Sequence, residues 1–309
     1  MKICFLFPGQ GAQYPGMVKD LWEASGGVRE LFESASDQTS IDLERLIFEG
    51  SEAELKATDK TQIAVTLANL SVSLALRERG IECSGCAGFS LGEYGALHEA
   101  GVIRSEDIFS IVKIRGRLME DASRALDTPS GRAGMAAVIG LSYEEAAEVL
   151  KKNQGLQAYL ALHNSPSQIV ISGTADALKI AQELFDTAGA MKYVALKTSG
   201  PFHSPLLEQA SLDFSQALAS FAFSDPGKPV YSNVTGRLIE SGDEARLLCG
   251  QQIVSTIQWV AEEQSILDEG YDRFLEVGPG AVLTGLWKRF HKKIRCEPAG
   301  KLEQIEKIC

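Results

Sequence analysis

The sequence predicts an α/β protein in which a large domain with a parallel sheet carries a small inserted α+β domain. Three observations predict it. Short apolar strands alternate with helical stretches over the first 128 residues and again near the C-terminus, which is typical of parallel α/β sheets. Between residues 129 and 198 the predicted elements follow the order β-α-β-β-α-β of a ferredoxin-like unit. The chain has 309 residues, enough for one large and one small core. We therefore predict a large domain over 1–128 and 199–309, and an inserted domain over 129–198.

The first elements follow from hydrophobic spacing. Residues 3–7 are apolar and end at Pro8, so they are too short for a signal-peptide core and predict a first buried strand. Residues 62–79 carry apolar side chains at helical spacing, and Gly80 is a suitable stop. Residues 81–87 predict a second strand. Residues 105–121 predict a helix with Ser105 as its N-cap.

The inserted unit begins after a loop at 128–131. Residues 135–139 predict a strand, and Ser142 with Glu145 predicts a capping box for a helix that reaches Lys152. Strands are predicted at 158–162, 168–171 and 191–196, with a helix over 174–188. A strand at 274–277 and a helix through Lys288 then return the chain to the large sheet.

Composition excludes several classes of protein. The formal net charge of −11 argues against a general nucleic-acid binder. No apolar run approaches the ~18 residues of a membrane span, so we expect a cytoplasmic protein. The six cysteines suggest no disulfide framework, and Cys83 and Cys86 are expected to be reduced thiols beside a buried strand rather than a zinc site.

A cluster of basic residues stands out against the acidic total. We call it the basic cluster, and it comprises Lys288, Arg289, Lys292, Lys293 and Arg295. It is either a solvated helix end or a docking patch for an acidic partner.

Gly88-Phe89-Ser90-Leu91-Gly92 has the form G-x-S-x-G of a nucleophile elbow. In an elbow, a serine occupies a sharp turn between a strand and a helix, and flanking glycines avoid clashes with both. A predicted strand precedes this segment, and residues 92–100 can begin a helix. The sequence therefore indicates Ser90 as a nucleophile.

A serine needs a base, and the chain offers four histidines. His98 lies about 12 Å further along the same helix and cannot reach Ser90. His163 ends a predicted strand and reads as structural, while His291 lies in the basic C-terminal run. His203 lies in a Gly/Pro-rich junction between the two domains, where clefts form. It is the best candidate base.

Two further segments carry polar groups suited to a ligand. The loop at residues 7–13 brings Gln10 between two glycines and is neither a phosphate loop nor a dinucleotide fingerprint. A backbone N–H there could bind an oxyanion together with that of Leu91. Arg115 follows an apolar run, so it is either a solvated side chain or a buried fork for a carboxylate.

Taken together, these segments resemble the malonyl-CoA:acyl-carrier-protein transacylase family over nearly the whole chain. The motifs appear in the family's order. They are Phe7-Pro-Gly-Gln-Gly-Ala-Gln13, Gly88-Phe-Ser-Leu-Gly-Glu-Tyr94, Arg115-Gly-Arg-Leu-Met119, Asn164 before Ser172-Gly173, Phe202-His203-Ser204, Ser232-Asn233-Val234, Gln252 before Trp259, and Glu276-Val-Gly-Pro-Gly280. The resemblance implies a hydrolase-like α/β domain with an inserted ferredoxin-like domain.

The resemblance also implies a role for each matching residue. Ser90 would carry the acyl group and His203 would act as general base and then acid. The backbone carbonyl of Gln252 would orient the imidazole in place of an aspartate. The remaining implied roles are the backbone N–H groups of Gln10 and Leu91 as oxyanion hole, Arg115 as partner of the malonyl carboxylate, and Phe89, Met119, Asn164 and Phe202 as pocket residues.

The implied reaction is ping-pong transfer of malonyl from malonyl-CoA to the pantetheine thiol of acyl carrier protein, for fatty-acid or polyketide synthesis. The resemblance implies no metal and no cofactor, since the CoA thioester is a substrate. An acidic carrier protein would favour the docking interpretation of the basic cluster.

The chain departs from the family pattern at two positions. Phe89 stands where histidine is usual, and Thr256 stands where proline is common and could loosen the loop that orients His203. Two other functions therefore stay open: an acyl hydrolase on the same scaffold, and, because of Phe89, a catalytically weak binding subunit.

Overall fold

The computed structural model describes residues 1–308 and contains two four-stranded β-sheets. One sheet is parallel, with strand order β2-β1-β7-β8, and the other is antiparallel, with order β4-β5-β3-β6. The strands are β1 (Ile3–Phe7), β2 (Gly85–Gly88), β3 (Gly134–Ile139), β4 (Ala158–Ser165), β5 (Gln168–Gly173), β6 (Lys192–Ala195), β7 (Arg273–Glu276) and β8 (Cys296–Pro298).

Helices surround both sheets. They are α1 (Lys19–Ala24), α2 (Gly26–Thr39), α3 (Leu43–Phe48), α4 (Glu52–Lys56), α5 (Thr58–Arg77), α6 (Gly92–Glu99), α7 (Ile108–Arg124), α8 (Tyr143–Lys152), α9 (Ala175–Thr187), α10 (Glu208–Leu218), α11 (Gly242–Gln252), α12 (Trp259–Asp268), α13 (Val282–Phe290) and α14 (Leu302–Ile308). Within residues 1–308, none of these helices combines the length and the apolar character that crossing a membrane requires.

The parallel sheet forms the centre of the large core. Every residue of β1 is buried, which is expected of a central strand covered on both faces. Helix α5 is buried along most of its length and packs against α7, so the polar side chains that α5 carries, such as Gln62, lie inside the protein. Polar side chains inside a core are candidates for a site, because burial without a partner is costly.

The antiparallel sheet confirms the predicted ferredoxin-like order. Its strands run β4-β5-β3-β6, and α8 and α9 pack with them over a second, smaller core. The predicted capping box at Ser142 and Glu145 begins α8. All four strands lie between residues 134 and 195, and all parallel strands lie outside that range. The boundaries at 128/129 and 198/199 stay our proposal.

Two elements begin three or four residues later than predicted. Strand β2 begins at Gly85, not at residue 81, because the N–H of Ile81 closes the end of α5 by donating to the carbonyl of Leu76 (3.0 Å), with Gly80 at φ 74°. Helix α7 begins at Ile108 after a turn in which the carbonyl of Arg104 accepts from the N–H groups of Asp107 and Ile108. Ser105 therefore does not cap it.

Candidate active site

Ser90 lies on a sharp turn between β2 and α6, at the C-terminal end of the parallel strand β2. Its φ is +52°, a left-handed conformation that non-glycine residues seldom adopt. The flanking glycines are required by contact. A Cβ on Gly88 would lie 2.1 Å from the backbone of Gly92, and one on Gly92 would lie 1.9 Å from the carbonyl oxygen of Phe7. The geometry is that of a nucleophile elbow.

The side chain of Asn233 braces this elbow from below. Its Oδ1 accepts from the backbone N–H of Ser90 (2.6 Å), and its Nδ2 donates to the carbonyl of Gly88 (2.6 Å) and to Glu262 (2.7 Å). Asn233 and Glu262 are both fully buried. A strained backbone conformation persists only where its surroundings hold it, and Asn233 supplies two of the bonds that do so here.

His203 faces Ser90 across the junction between the two sheets. Its Nε2 lies 2.7 Å from Ser90 Oγ, and its Nδ1 lies 2.8 Å from the backbone carbonyl oxygen of Gln252. The carbonyl requires a proton on Nδ1, which leaves Nε2 free to accept the serine proton. Burial, and then the charge of Arg115, lower the pKa of His203 to about 3, while the Gln252 carbonyl opposes them. The imidazole is therefore neutral at physiological pH.

Arg115 extends from α7 into the same site and is only 1% exposed. Its Nη1 donates to Gln62 Oε1 (2.9 Å), its Nη2 donates to Gln252 Oε1 (2.8 Å), and the guanidinium lies 5.2 Å from the ring centroid of Tyr94. Its Nε is buried without a partner, and no carboxylate among residues 1–308 forms an ion pair with it. A buried guanidinium held only by neutral groups is suited to an anionic ligand.

The loop after β1 brings Gln10 close to the elbow. Gly9 permits this approach, because a Cβ there would lie 2.3 Å from the carbonyl oxygen of Phe89. The backbone N–H groups of Gln10 and Leu91 have no acceptor within the part of the chain that the structure describes. Two free N–H groups beside Ser90 are what an oxyanion hole requires.

Ser90, His203, Arg115 and Gln10 line one cavity of about 130 Å³. It opens onto Ser90, His203 and Arg115, and its other walls are largely apolar. The lining also contains Phe89, Met119, Met135, Leu162, Leu196, Thr198 and Phe202. Phe89, Met119 and Phe202 thus line the cavity. Asn164 does not: it is buried further along β4, and its Oδ1 has no partner among the described residues. Its pocket role stays a prediction.

The two departures from the family pattern both have packing partners. The Phe89 ring packs edge-on against Trp259, with centroids 5.3 Å apart. The Thr256 hydroxyl donates to the carbonyl of Leu160 (2.8 Å), and the next residue, Ile257, exchanges backbone hydrogen bonds with β4. The loop after Gln252 is therefore held by hydrogen bonds despite the absence of proline.

The other candidates from the sequence lie away from this site. His98 pairs through Nδ1 with the carbonyl of Ile103 (3.0 Å), and His163 stacks on Tyr143. Cys83 and Cys86 are buried free thiols. Within residues 1–308, no group of three or more His, Cys, Asp or Glu side chains is placed to hold a metal. The basic cluster is exposed, and its Arg289 donates to the side chain of Gln168 on the small sheet.

Sequence reasoning gave no role to four polar residues beneath the site. They are Gln62, Glu93, Asn233 and Glu262, all buried. Gln62 had one available signal, which is that it stands in a mostly apolar helical stretch. Glu93 lies inside a recognised motif, but the motif alone does not reveal its contact with Gln252.

A strained serine, a neutral histidine and two free N–H groups on an α/β sheet define a serine-dependent acyl-transferring enzyme. The chain belongs to the acyl transferase domain family, whose model it matches over residues 4–304. It is 36% identical over 307 residues to the malonyl CoA-acyl carrier protein transacylase of Bacillus subtilis, covering 99% of this chain and 95% of that protein.

Solved structures show the same similarity. An acyl carrier protein S-malonyltransferase from Vibrio cholerae matches with a TM-score of 0.94 and 32% identity over 100% of both chains. A malonyl-transacylase solved in complex with a type II polyketide synthase acyl-carrier protein matches with a TM-score of 0.93 and 33% identity, covering 99% of this chain and 98% of that one. The predicted family and fold class are thereby confirmed.

Proposed function

We propose that this protein transfers a malonyl group from malonyl-CoA to the phosphopantetheine thiol of acyl carrier protein, and so supplies fatty-acid or polyketide synthesis. The relatives described above are malonyl transacylases, one of them solved with its carrier protein. The observation that carries the substrate assignment is Arg115, a buried guanidinium beside Ser90 that has two amide partners and no carboxylate partner within the described chain. A malonyl carboxylate supplies the missing charge.

In the first half-reaction the malonyl carboxylate pairs with Arg115, and the thioester carbonyl lies over Ser90. His203 Nε2 takes the proton from Ser90 Oγ as the oxygen attacks the carbonyl carbon. The negative oxygen of the tetrahedral intermediate accepts from the N–H groups of Gln10 and Leu91. The intermediate collapses, the C–S bond breaks, and the CoA sulfur takes the proton from His203. Ser90 then carries malonate as an ester.

The second half-reaction reverses these roles. The pantetheine thiol of the carrier protein gives its proton to His203 Nε2, and the sulfur attacks the ester carbonyl. The same two N–H groups stabilise the oxyanion. When the C–O bond breaks, Ser90 Oγ recovers the proton from His203. Throughout, the carbonyl of Gln252 keeps His203 Nδ1 protonated and holds the imidazole ring in its orientation.

The ester has to survive until the carrier protein arrives. The cavity supports this, because it is small and its walls carry Met119, Met135, Leu162 and Phe202. Apolar walls give an attacking water few hydrogen-bond partners and so disfavour an ordered water beside the ester. We therefore favour transfer over hydrolysis.

One experiment tests the proposal. The protein is incubated with labelled malonyl-CoA, with and without holo acyl carrier protein, and Ser90→Ala is the control. We expect a malonyl adduct on Ser90 by mass spectrometry and label on the carrier protein afterwards. Free malonate as the main product would instead identify an acyl hydrolase. Absence of any adduct would identify a binding subunit in which Phe89 has replaced a needed group.

A further inference from the structure

Gln252 contacts three parts of the site at once. Its backbone carbonyl accepts from His203, its side-chain Oε1 accepts from Arg115 Nη2 (2.8 Å), and its side-chain Nε2 donates to the carbonyl of Ser90 (3.1 Å) and to the carboxylate of Glu93. The orientation of the Gln252 side-chain amide therefore decides whether the Arg115 guanidinium faces an oxygen acceptor or an N–H donor.

A side-chain amide can be turned by 180°, which exchanges its oxygen and its nitrogen. In the turned state Nε2 would face Arg115 Nη2, so that two donors would meet and the guanidinium would lose one of its two hydrogen-bond acceptors, keeping only Gln62. Acceptors on the far side of the amide prevent this turn. There are three such acceptors. The Ser90 carbonyl belongs to the strained elbow and Asn233 Oδ1 (3.3 Å) to its support, whereas Glu93 does not line the cavity beside Ser90.

We propose that Glu93 is a positioning residue that fixes the Gln252 amide and thereby aims Arg115, so that Glu93 selects for acyl groups that end in a carboxylate. This inference rests on the proposed function, because it assigns the Arg115 guanidinium to the malonyl carboxylate. It adds a specificity role to a residue that touches neither acyl group nor nucleophile side chain.

The surroundings of Glu93 support an orienting role. The residue is 1% exposed on the first turn of α6, and its Oε2 also accepts from the backbone N–H of Asn233 (3.3 Å). Burial raises the pKa of Glu93 to about 7, against the hydrogen bonds from Gln252 and Asn233 and the charge of Arg115. Its Oε1 has no partner among the described residues, so a proton there leaves Oε2 an acceptor. Position, more than charge, is what Glu93 supplies.

Glu262 provides a matched control. It is also fully buried and also accepts from Asn233, through Nδ2 (2.7 Å), but it makes no hydrogen bond to Gln252. Changes at Glu262 disturb Asn233 beneath Ser90 and reach the Gln252 amide only indirectly, through Asn233 Oδ1, which accepts from Gln252 Nε2 at 3.3 Å. They should therefore affect every acyl group alike.

The test uses two complementary substitutions at each position. Glu93→Gln keeps the length and an acceptor oxygen but removes the charge, whereas Glu93→Asp keeps the charge but withdraws the acceptor by one methylene. The rate of Ser90 acylation is measured as kcat/KM for malonyl-CoA and for acetyl-CoA. We expect the malonyl-to-acetyl ratio to fall at least about tenfold in Glu93→Asp and to stay within about threefold of the parent in Glu93→Gln. Glu262→Gln and Glu262→Asp should leave the ratio unchanged even where both rates fall.

Two results would overturn the inference. Equal losses for both acyl groups in Glu93→Asp would show a merely structural role. A ratio kept by Glu93→Asp but lost by Glu93→Gln would show that charge matters and amide orientation does not. Failure of the proposed function is recognised separately, because the unsubstituted protein itself would then show no preference for malonyl-CoA.

Discussion

Replacing Arg115 by alanine should convert a malonyl-selective site into one that barely distinguishes malonyl from acetyl groups. The guanidinium has five N–H donors, and two of them are engaged by Gln62 and Gln252. Three donors remain, including the unpartnered Nε. Two hydrogen bonds to a carboxylate, at about 1.5–3 kcal/mol each, amount to roughly 3–6 kcal/mol. We therefore expect malonyl transfer to fall by about 10²–10⁴-fold relative to acetyl transfer.

The ratio of the two rates is the decisive quantity. Removing Arg115 also leaves the oxygens of Gln62 and Gln252 without a donor, and Gln252 in turn orients His203. That disturbance affects both acyl groups, so it cancels when malonyl is divided by acetyl. Acylation of Ser90 is followed by mass spectrometry at equal concentrations of each CoA thioester.

Arg117 offers a control on the same helix. It lies two residues further along α7 and is exposed, so Arg117→Ala should change neither rate by more than about twofold. Equal losses for malonyl and acetyl in Arg115→Ala would refute the carboxylate role and leave Arg115 as a structural residue of the core.

Three other predictions concern the base, the elbow and a buried carboxyl. Only neutral His203 can accept the serine proton, so acylation by acetyl-CoA should persist as pH falls toward the His203 pKa of about 3. Arg115→Ala removes one of the two influences that lower the pKa of His203. In that variant the acidic limb of the kcat/KM profile should therefore move to higher pH. Gly92→Ala should prevent folding or abolish the adduct because its Cβ would meet the Phe7 carbonyl, whereas Gly285→Ala, in open space within α13, should raise the melting temperature slightly. Burial raises the pKa of the Glu263 carboxyl to about 8, against the opposing effect of the Trp259 side chain. Its contribution to stability is present below a pH of about 4.5 and is lost as pH rises toward 8, so Glu263→Gln should raise the melting temperature more at pH 9 than at pH 5.

The parts of the site that the sequence revealed are those encoded locally. The elbow needs a strand, a serine between two glycines and a helix, and all of these stand within a dozen residues. The capping box of α8 likewise spans four consecutive positions. His203 emerged by elimination among four histidines, together with its place in a Gly/Pro-rich junction.

The buried polar contacts beneath the site could not be predicted from the sequence, because they join residues that lie far apart in the chain. Gln62 and Arg115 are 53 positions apart, and Ser90 and Asn233 are 143 apart. Their pairing depends on how α5, α7 and the segment after residue 230 pack on one sheet, which no local pattern records. The boundary of β2 failed for a local reason, because the N–H of Ile81 closes the end of α5 by donating to the carbonyl of Leu76.

The backbone pairing of Ile257 with β4 has a practical consequence for exchanging parts between related enzymes. The Ile257 N–H donates to the carbonyl of Ala161, and its own carbonyl accepts from the N–H of His163, both at 2.9 Å. Ile257 thus forms a parallel β-bridge with β4, the edge strand of the small sheet, although it lies far outside residues 129–198. A chimera that transplants the insertion alone would leave this edge mismatched, five residues from the carbonyl that orients the base. Grafts that carry residues 253–257 together with the insertion should keep the backbone pairing between Ile257 and β4.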